Sequence, residues 1–186
     1  MRTFIAVDLD PAVKTALAGL LRKLRWRGPK GITWVREAGL HITLKFLGEI
    51  DEAMAGRVGT ALESAAAAVP AFRLAVRGTG AFPGAPRAPR VLWAGTDEPA
   101  PFADLFSRLE TGLEALGFAR ETRPFHPHLT LGRVKSPSGV RDVLGELERW
   151  RDVEFGAMTV SGVTLFKSAL RPDGAVYSPL TEARLG

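Results

Sequence analysis

The sequence predicts an α+β fold made of two similar lobes facing one another across a cleft, all within one domain over residues 1–186. Three observations predict it. Strand-like and helix-like stretches are mixed without strict βαβ alternation. The string HITLKFL at 41–47 is echoed by HLTLGRV at 128–134. The elements after each string come in the same order and end at Phe82 in one half and Phe166 in the other, 41 and 38 residues past the histidine, which reads as an internal duplication.

Thr3–Leu9 alternates as a strand does, and Asp10-Pro11 then supplies an N-cap and a first-turn proline for a helix with Val13, Leu17, Leu20, Leu21 and Leu24 on one face. Gly28-Pro29 is expected to stop it. Ile32–Val35 and Leu40–Leu47 read as strands around a short turn, Asp51 to Ala67 as a helix with Met54, Val58 and Leu62 inward, and Phe72–Val76 as a strand. Residues 78–90, GTGAFPGAPRAPR, read as a loop because glycine and proline dominate them. Their glycines do not make a phosphate loop: the spacing is wrong and no Gly-Lys-Ser/Thr follows. Val91–Gly95 is a strand, Pro101–Leu116 a helix on Phe102, Leu105, Leu109 and Leu113, His128–Val134 a strand, and Val140–Trp150 a helix. Glu154–Phe166 and Ala175–Leu180 close the fold as strands.

Composition narrows the chemistry. With no cysteine among 186 residues there is no disulfide, no thiolate nucleophile and no cysteine-ligated zinc, which suits a reducing, cytoplasmic setting. The apolar run at the start is too short for a signal peptide, and no stretch reaches the length of a membrane span. The net charge of +5, carried mostly by scattered arginines, hints at an anionic partner, although a solvated surface accounts for most of it.

The repeated string carries the chemistry. Side chains alternate along a strand, so His41 and Thr43 share one face while Ile42 and Leu44 share the other, and His128 and Thr130 stand likewise against Leu129 and Leu131. Two imidazoles titrate near neutral pH and can divide the roles of general acid and general base. Two hydroxyls can donate to the non-bridging oxygens of a phosphate. At average residue usage, finding His-x-Thr-Leu at two of three histidines is a coincidence on the order of one in ten thousand. His126, parted from His128 by Pro127, is expected at the cleft rim or in solvent. A metal held by His41, His126 and His128 is disfavoured, because no carboxylate adjoins either motif strand in the sequence.

These residues resemble the two-histidine (2H) phosphoesterase superfamily, and within it the RNA 2′,3′-cyclic phosphodiesterases, also described as 2′-5′ RNA ligases. The likeness runs nearly end to end, through Arg2-x-Phe4-Ile5-Ala6, Trp34-Val35, RVLWAG at 90–95, PHLTLGR at 127–133, and LFKSAL before Gly174-x-x-Tyr177-x-x-Leu180. It implies an antiparallel-rich bilobal fold and opening of a terminal RNA 2′,3′-cyclic phosphate to a 2′-phosphate without metal or other cofactor. A reverse 2′-5′ ligation is implied as well. His41 would protonate the departing 3′ oxygen, His128 would activate water, and Thr43 and Thr130 would hold the phosphate. The near symmetry of the two motifs leaves the opposite division of labour open. The resemblance also implicates the residues five places after each motif histidine: Phe46, against the nucleoside, and Arg133, against phosphate. An offset of five puts them on the wrong strand face unless a bulge intervenes, and Gly132 is a plausible place for one.

Lys45 has the parity to join His41 and Thr43, and Lys167 and Arg171 are candidates for a basic RNA track, though a solvated face is the preferred reading of them. Trp34 and Trp93 read as core. The expected partner is RNA with a cyclic-phosphate end, or a nucleoside cyclic phosphate, met by a monomer. A non-catalytic RNA-end binding module, or a related phosphodiesterase on another cyclic nucleotide or oligonucleotide, is the competing reading.

Overall fold

The computed structural model describes residues 1–27, 31–84, 87–136, 140–171 and 174–186. The stop assigned to Gly28-Pro29 lies outside them. The chain opens with β1 (Arg2–Asp8), whose five inner residues are all buried, the mark of a strand covered on both faces. Helix α1 (Pro11–Arg27) follows with proline in its first turn, and Val13, Leu17, Leu20, Leu21 and Leu24 are buried as their spacing predicts. Short β2 (Ile32–Trp34) and a single 3-10 turn (Glu37–Gly39) lead into β3 (His41–Glu49). Asp51 then caps α2 (Glu52–Ala67), its carboxylate accepting the Met54 N–H at 2.7 Å.

The remaining elements are β4 (Phe72–Phe82), β5 (Val91–Thr96), α3 (Ala100–Glu114), β6 (His128–Val134), α4 (Val140–Arg149), β7 (Glu154–Val160), β8 (Gly162–Arg171) and β9 (Gly174–Arg184). The closing region is thus three strands. None of the described helices is long and apolar enough to cross a membrane.

The strands form one curled sheet in the order β7-β4-β5-β6-β3-β1-β8-β9, with β2 on β6 as well. Every pairing is antiparallel. The order splits at its middle into β6-β5-β4-β7 and β3-β1-β8-β9; in each the motif strand is followed by the first strand of its own half and then by the strand bearing Phe82 or Phe166, and the halves meet where Ile42 pairs with Leu129. The motif strands are therefore neighbours in one sheet, not opposed across a gap as the duplication alone suggested. Joining the half-sheets through these strands pairs backbone edges that would otherwise lie open. One face of the sheet gathers Ile5, Val7, Ile42, Leu44, Leu92, Leu129 and Leu131 into a single core with the helices. The other face carries the histidines.

The segment read as a loop is in fact half strand. β4 continues through Gly78–Phe82, paired to β5 with a register slip between Val76 and Thr79. Gly78 takes a left-handed φ of 74° there, and a side chain on Gly80 would lie 2.3 Å from the Trp93 ring, so these glycines serve a bulge and a close contact. Residues 85 and 86 of that segment lie outside the described residues.

Candidate active site

The register at the seam decides which side chains meet. With Ile42 opposite Leu129, both pointing into the core, the next positions set His41 beside Thr130 and Thr43 beside His128 on the other face. The two histidines are then diagonal neighbours, whose Cβ atoms stand about 7–8 Å apart in an antiparallel pair. Rings reaching inward from that separation can flank one phosphorus atom. Neither the Thr43 nor the Thr130 hydroxyl has a hydrogen-bond partner among the described residues, whereas Thr79 spends its own on the Leu147 carbonyl at 2.6 Å.

Each imidazole is held the same way. His41 Nδ1 lies 2.8 Å from the Gly39 carbonyl, and His128 Nδ1 lies 2.8 Å from the His126 carbonyl. A carbonyl only accepts, so Nδ1 carries the proton in both rings and Nε2 is left to take or give one. The walls differ between the two. His41 stacks at a tilt on Phe4 at 4.8 Å and meets the edge of Tyr177 at 5.2 Å, while His128 meets the edge of Phe82 at 5.4 Å. Burial pushes the His41 pKa below the ordinary histidine value. The Gly39 hydrogen bond and the Asp8 carboxylate oppose that shift, and Lys14 adds to it. Among the described residues no three His, Asp or Glu side chains converge to hold a metal ion.

Two bulges bring the offset-five residues onto the histidine face. β1 and β3 slip between Ile5, opposite Lys45, and Ala6, opposite Thr43, which makes Leu44 the extra residue. β5 and β6 slip between Leu92, opposite Gly132, and Trp93, opposite Thr130, which makes Leu131 the extra one. The parity problem is thus solved on both strands, one residue short of the glycine on β6 and by a second bulge on β3. Cross-strand rows result: Phe166, Phe4 and Phe46 in one half, Phe82, Val91 and Arg133 in the other. Phe46 is 60% exposed, not a core residue, and its ring lies 6.0 Å from that of Phe4. Arg133 is exposed at its end of the second row.

The first bulge also turns Lys45 away from the histidines. Its ammonium contacts Glu110 on α3 at 2.7 Å, too obliquely for a hydrogen bond, and donates to the Ala119 carbonyl at 2.7 Å. His126 stands at the rim with its ring 3.2 Å from Glu98, so its part in the site is its carbonyl. Trp34 packs against the core beside Gly132, but Trp93 lies opposite Thr130 and stacks on Phe82 at 5.1 Å, on the histidine face. Lys167 and Arg171 alternate with Phe166 along β8 and so point to the other face. Sequence reasoning missed Phe4, Phe82 and Tyr177 as neighbours of the histidines. The alternation of β1 was the available signal for Phe4; nothing local marks Tyr177, which arrives from the far edge strand.

A mixed α/β fold that sets two His-x-Thr strands side by side, with both imidazoles oriented alike, defines a two-histidine phosphoesterase. A family model described as the 2′-5′ RNA ligase superfamily matches residues 13–171, and the chain belongs to that superfamily. A protein from Methanothermobacter thermautotrophicus named RNA 2′,3′-cyclic phosphodiesterase is 37% identical, over 100% of this chain and 99% of its own. One of the same name from Thermotoga maritima is 35% identical, over 99% and 95%. Among solved structures, a protein of Thermus thermophilus superposes with a TM-score of 0.82 at 34% identity, covering 100% of this chain and 98% of that one. Apo LigT of E. coli superposes with a TM-score of 0.76 at 25% identity, covering 99% and 96%.

Proposed function

We propose that this chain hydrolyses the 2′,3′-cyclic phosphate at an RNA 3′ end to a 2′-phosphomonoester, and that one face of one monomer suffices because both motifs come from the same chain. The observation that carries the reading is the pair of imidazoles flanking the β3–β6 seam, each with Nδ1 fixed by a carbonyl two residues earlier. Names of full-length relatives at 35–37% identity point to the same reaction.

In the proposed cycle His128 takes a proton from water as the water oxygen bonds to phosphorus. The bond from phosphorus to O3′ breaks on the far side, and His41 delivers a proton from Nε2 to that oxygen. The product keeps the phosphate on O2′, and proton exchange with solvent resets both rings. Thr43 and Thr130 donate to the non-bridging oxygens, Arg133 offsets their charge, and Phe46 packs on the nucleoside. Desolvation makes the His41 imidazolium the stronger acid, which suits it to the departing oxygen. A 5′-hydroxyl in place of water attacks phosphorus in the same sense: His128 takes its proton, the bond to O3′ breaks with a proton from His41, and a 2′-5′ phosphodiester forms.

The test is product analysis on an oligoribonucleotide with a 2′,3′-cyclic phosphate end, in excess EDTA. A 2′-phosphate product is expected, with His41→Ala and His128→Ala each lowering kcat by about 10²–10⁴-fold. Full activity in either variant, or a 3′-phosphate product, would overturn the roles given to the two rings. Saturable binding without product would leave the cleft a binding site only.

A further inference from the structure

We propose that Phe82, seated on Trp93, is a second nucleoside subsite, one that takes the base of the nucleoside whose 5′-hydroxyl attacks phosphorus, so that the two halves hold the two sides of a 2′-5′ linkage. This deepens the phosphodiesterase reading above and rests on its assignment of His128 to the nucleophile.

Among the described rings beside the two histidines, Phe46 and Phe82 alone are exposed, at 60% and 40%; Phe4 is buried, and Trp93, Phe166 and Tyr177 are half-buried. Phe46 has a task, packing on the nucleoside that bears the cyclic phosphate. Phe82 has none, yet β4 and β5 are shaped to hold it. The Trp93 indole lies over two glycines, Gly80 of β4 and Gly95 of β5, where an added Cβ would come within 2.3 Å and 3.2 Å of its ring. Phe82 stacks on that indole at 5.1 Å, with 26° between the planes, and meets His128 edge-on at 5.4 Å.

The arrangement costs stability twice. Glycines weaken a strand, and the Trp93 Nε1–H is shut from solvent without an acceptor among the described residues. What it secures is an exposed phenyl face, backed by an indole, next to the ring assigned to the nucleophile. In the His41 half the places matching Trp93 and Gly80 are Ala6 and Thr164, and half-buried Phe166 rests on Phe4 at 5.4 Å.

The direction of the displacement says what the Phe82 face is for. Attacking and leaving oxygens stand roughly in line through phosphorus. With O3′ leaving toward His41, the attacking oxygen lies on the His128 side. When that oxygen is a 5′-hydroxyl, His128 takes its proton, O5′ bonds to phosphorus, the bond to O3′ breaks and His41 protonates O3′. The incoming nucleoside then stands beside Phe82, where a ring face accepts any base by stacking. A base on Phe46 marks the O2′ side of the new linkage, and a base on Phe82 the O5′ side.

Two experiments on the full chain test this. The first compares, by calorimetry, two ligands of equal charge: 3′-deoxyadenosine joined through its 2′-phosphate either to the 5′-oxygen of adenosine or to a methyl group. Lacking a 3′-hydroxyl, neither can reform the cyclic phosphate. The wild type is expected to bind the dinucleoside at least about tenfold tighter, the gain one stacked base provides. Phe82→Leu, which keeps an apolar contact on Trp93 but offers no ring face, should bring the two ligands within about twofold of each other. Phe46→Leu should weaken both alike and keep their ratio. In the second experiment adenosine 2′,3′-cyclic phosphate is turned over with adenosine or methyl riboside as the 5′-hydroxyl acceptor, at equal subsaturating concentrations. The wild type should join adenosine at least about tenfold more, and Phe82→Leu should join the two about equally.

The binding experiment needs no turnover: a Phe82-dependent advantage in a chain that hydrolyses and joins nothing would uphold the subsite as a binding site while sinking the phosphodiesterase reading. Equal binding of the two ligands by the wild type would overturn the subsite, and with hydrolysis intact would leave that reading standing. So would an advantage that survives in Phe82→Leu, one that falls as far in Phe46→Leu, or equal joining of the two acceptors by an active wild type.

Discussion

His41 is the most constrained ring on the face. Its Nδ1 is tied to Gly39, Phe4 covers one side, and the Tyr177 edge closes another while also resting against Gly39, where an added Cβ would meet the phenol ring at 3.3 Å. The charged groups acting on the ring are Asp8, directly across the β1–β3 ladder, and Lys14, which is itself paired to Asp8 at 2.7 Å. Their effects oppose each other, so burial governs, and the neutral imidazole persists to a lower pH than the ordinary histidine value of about 6.5. If His41 is the acid, it must be protonated in the free enzyme, so kcat/KM should fall as pH rises past its lowered pKa, placing the optimum on the acid side of neutrality. Removing the Tyr177 ring admits water and should move that limb upward. We expect Tyr177→Ala to raise the His41 pKa toward the ordinary value in an NMR titration of the ring protons, and Tyr177→Phe to leave it unmoved. An unchanged titration in Tyr177→Ala would mean that Phe4 and the sheet alone keep the ring dry.

At the level of elements, the Leu44 bulge and the buried Lys45–Glu110 pair belong together. The bulge swings Lys45 toward α3 and Phe46 back to the histidines, and the pair then fastens β3 to the segment leading into β6: Lys45 donates to Ala119, and Glu110 accepts the Glu121 N–H at 2.6 Å. With the side chains only 13% and 4% exposed, neither charge can be left alone cheaply. Lys45→Met should therefore destabilise the chain by about 3–5 kcal/mol in urea unfolding, and Glu110→Leu on that background should recover much of the loss. Additive losses in the double variant would show that the two are not coupled. The same elements show what is legible in the sequence. Strand β6 reads with its true bounds, because alternating apolar residues between Pro127 and a polar turn leave little choice, and the need for bulges follows from the parity of Phe46 and Arg133. Lys45 is misplaced by strand parity for the same reason, since a slip of one residue flips every later side chain. Gly78–Phe82 reads as loop because glycines that accommodate a bulge or an indole look, in sequence, like glycines of a turn. Tyr177 escapes notice because only the curl of the whole sheet brings β9 to the 3-10 turn before His41.

For the whole molecule, the duplicated topology sets a problem that its side chains must solve. Two half-sheets that match over their three strands nearest the seam present two histidines, two threonines and two oriented Nδ1 atoms, so a cyclic phosphate, itself nearly symmetric about phosphorus, could sit in either of two senses. One sense releases O3′ toward His41, the other O2′. Within the two cross-strand rows the sharpest break in the symmetry is at their outer ends, where exposed Phe46 stands against exposed Arg133. A cyclic phosphate whose nucleoside packs on Phe46 while Arg133 offsets its charge, as proposed above, fits that difference in one sense only. Phe46→Arg would make the ends alike. It should lower kcat/KM several-fold through loss of base stacking, worth about 1–3 kcal/mol, and it should also let a measurable share of 3′-phosphate appear beside the 2′-phosphate. Phosphorus NMR of the products separates the two isomers. Phe46→Ala serves as the control, because it removes the ring without adding a rival cation and should slow the reaction while keeping the product pure. A pure 2′-phosphate from Phe46→Arg at wild-type rate would move the choice of sense away from the row ends, to the unequal walls of the histidines themselves.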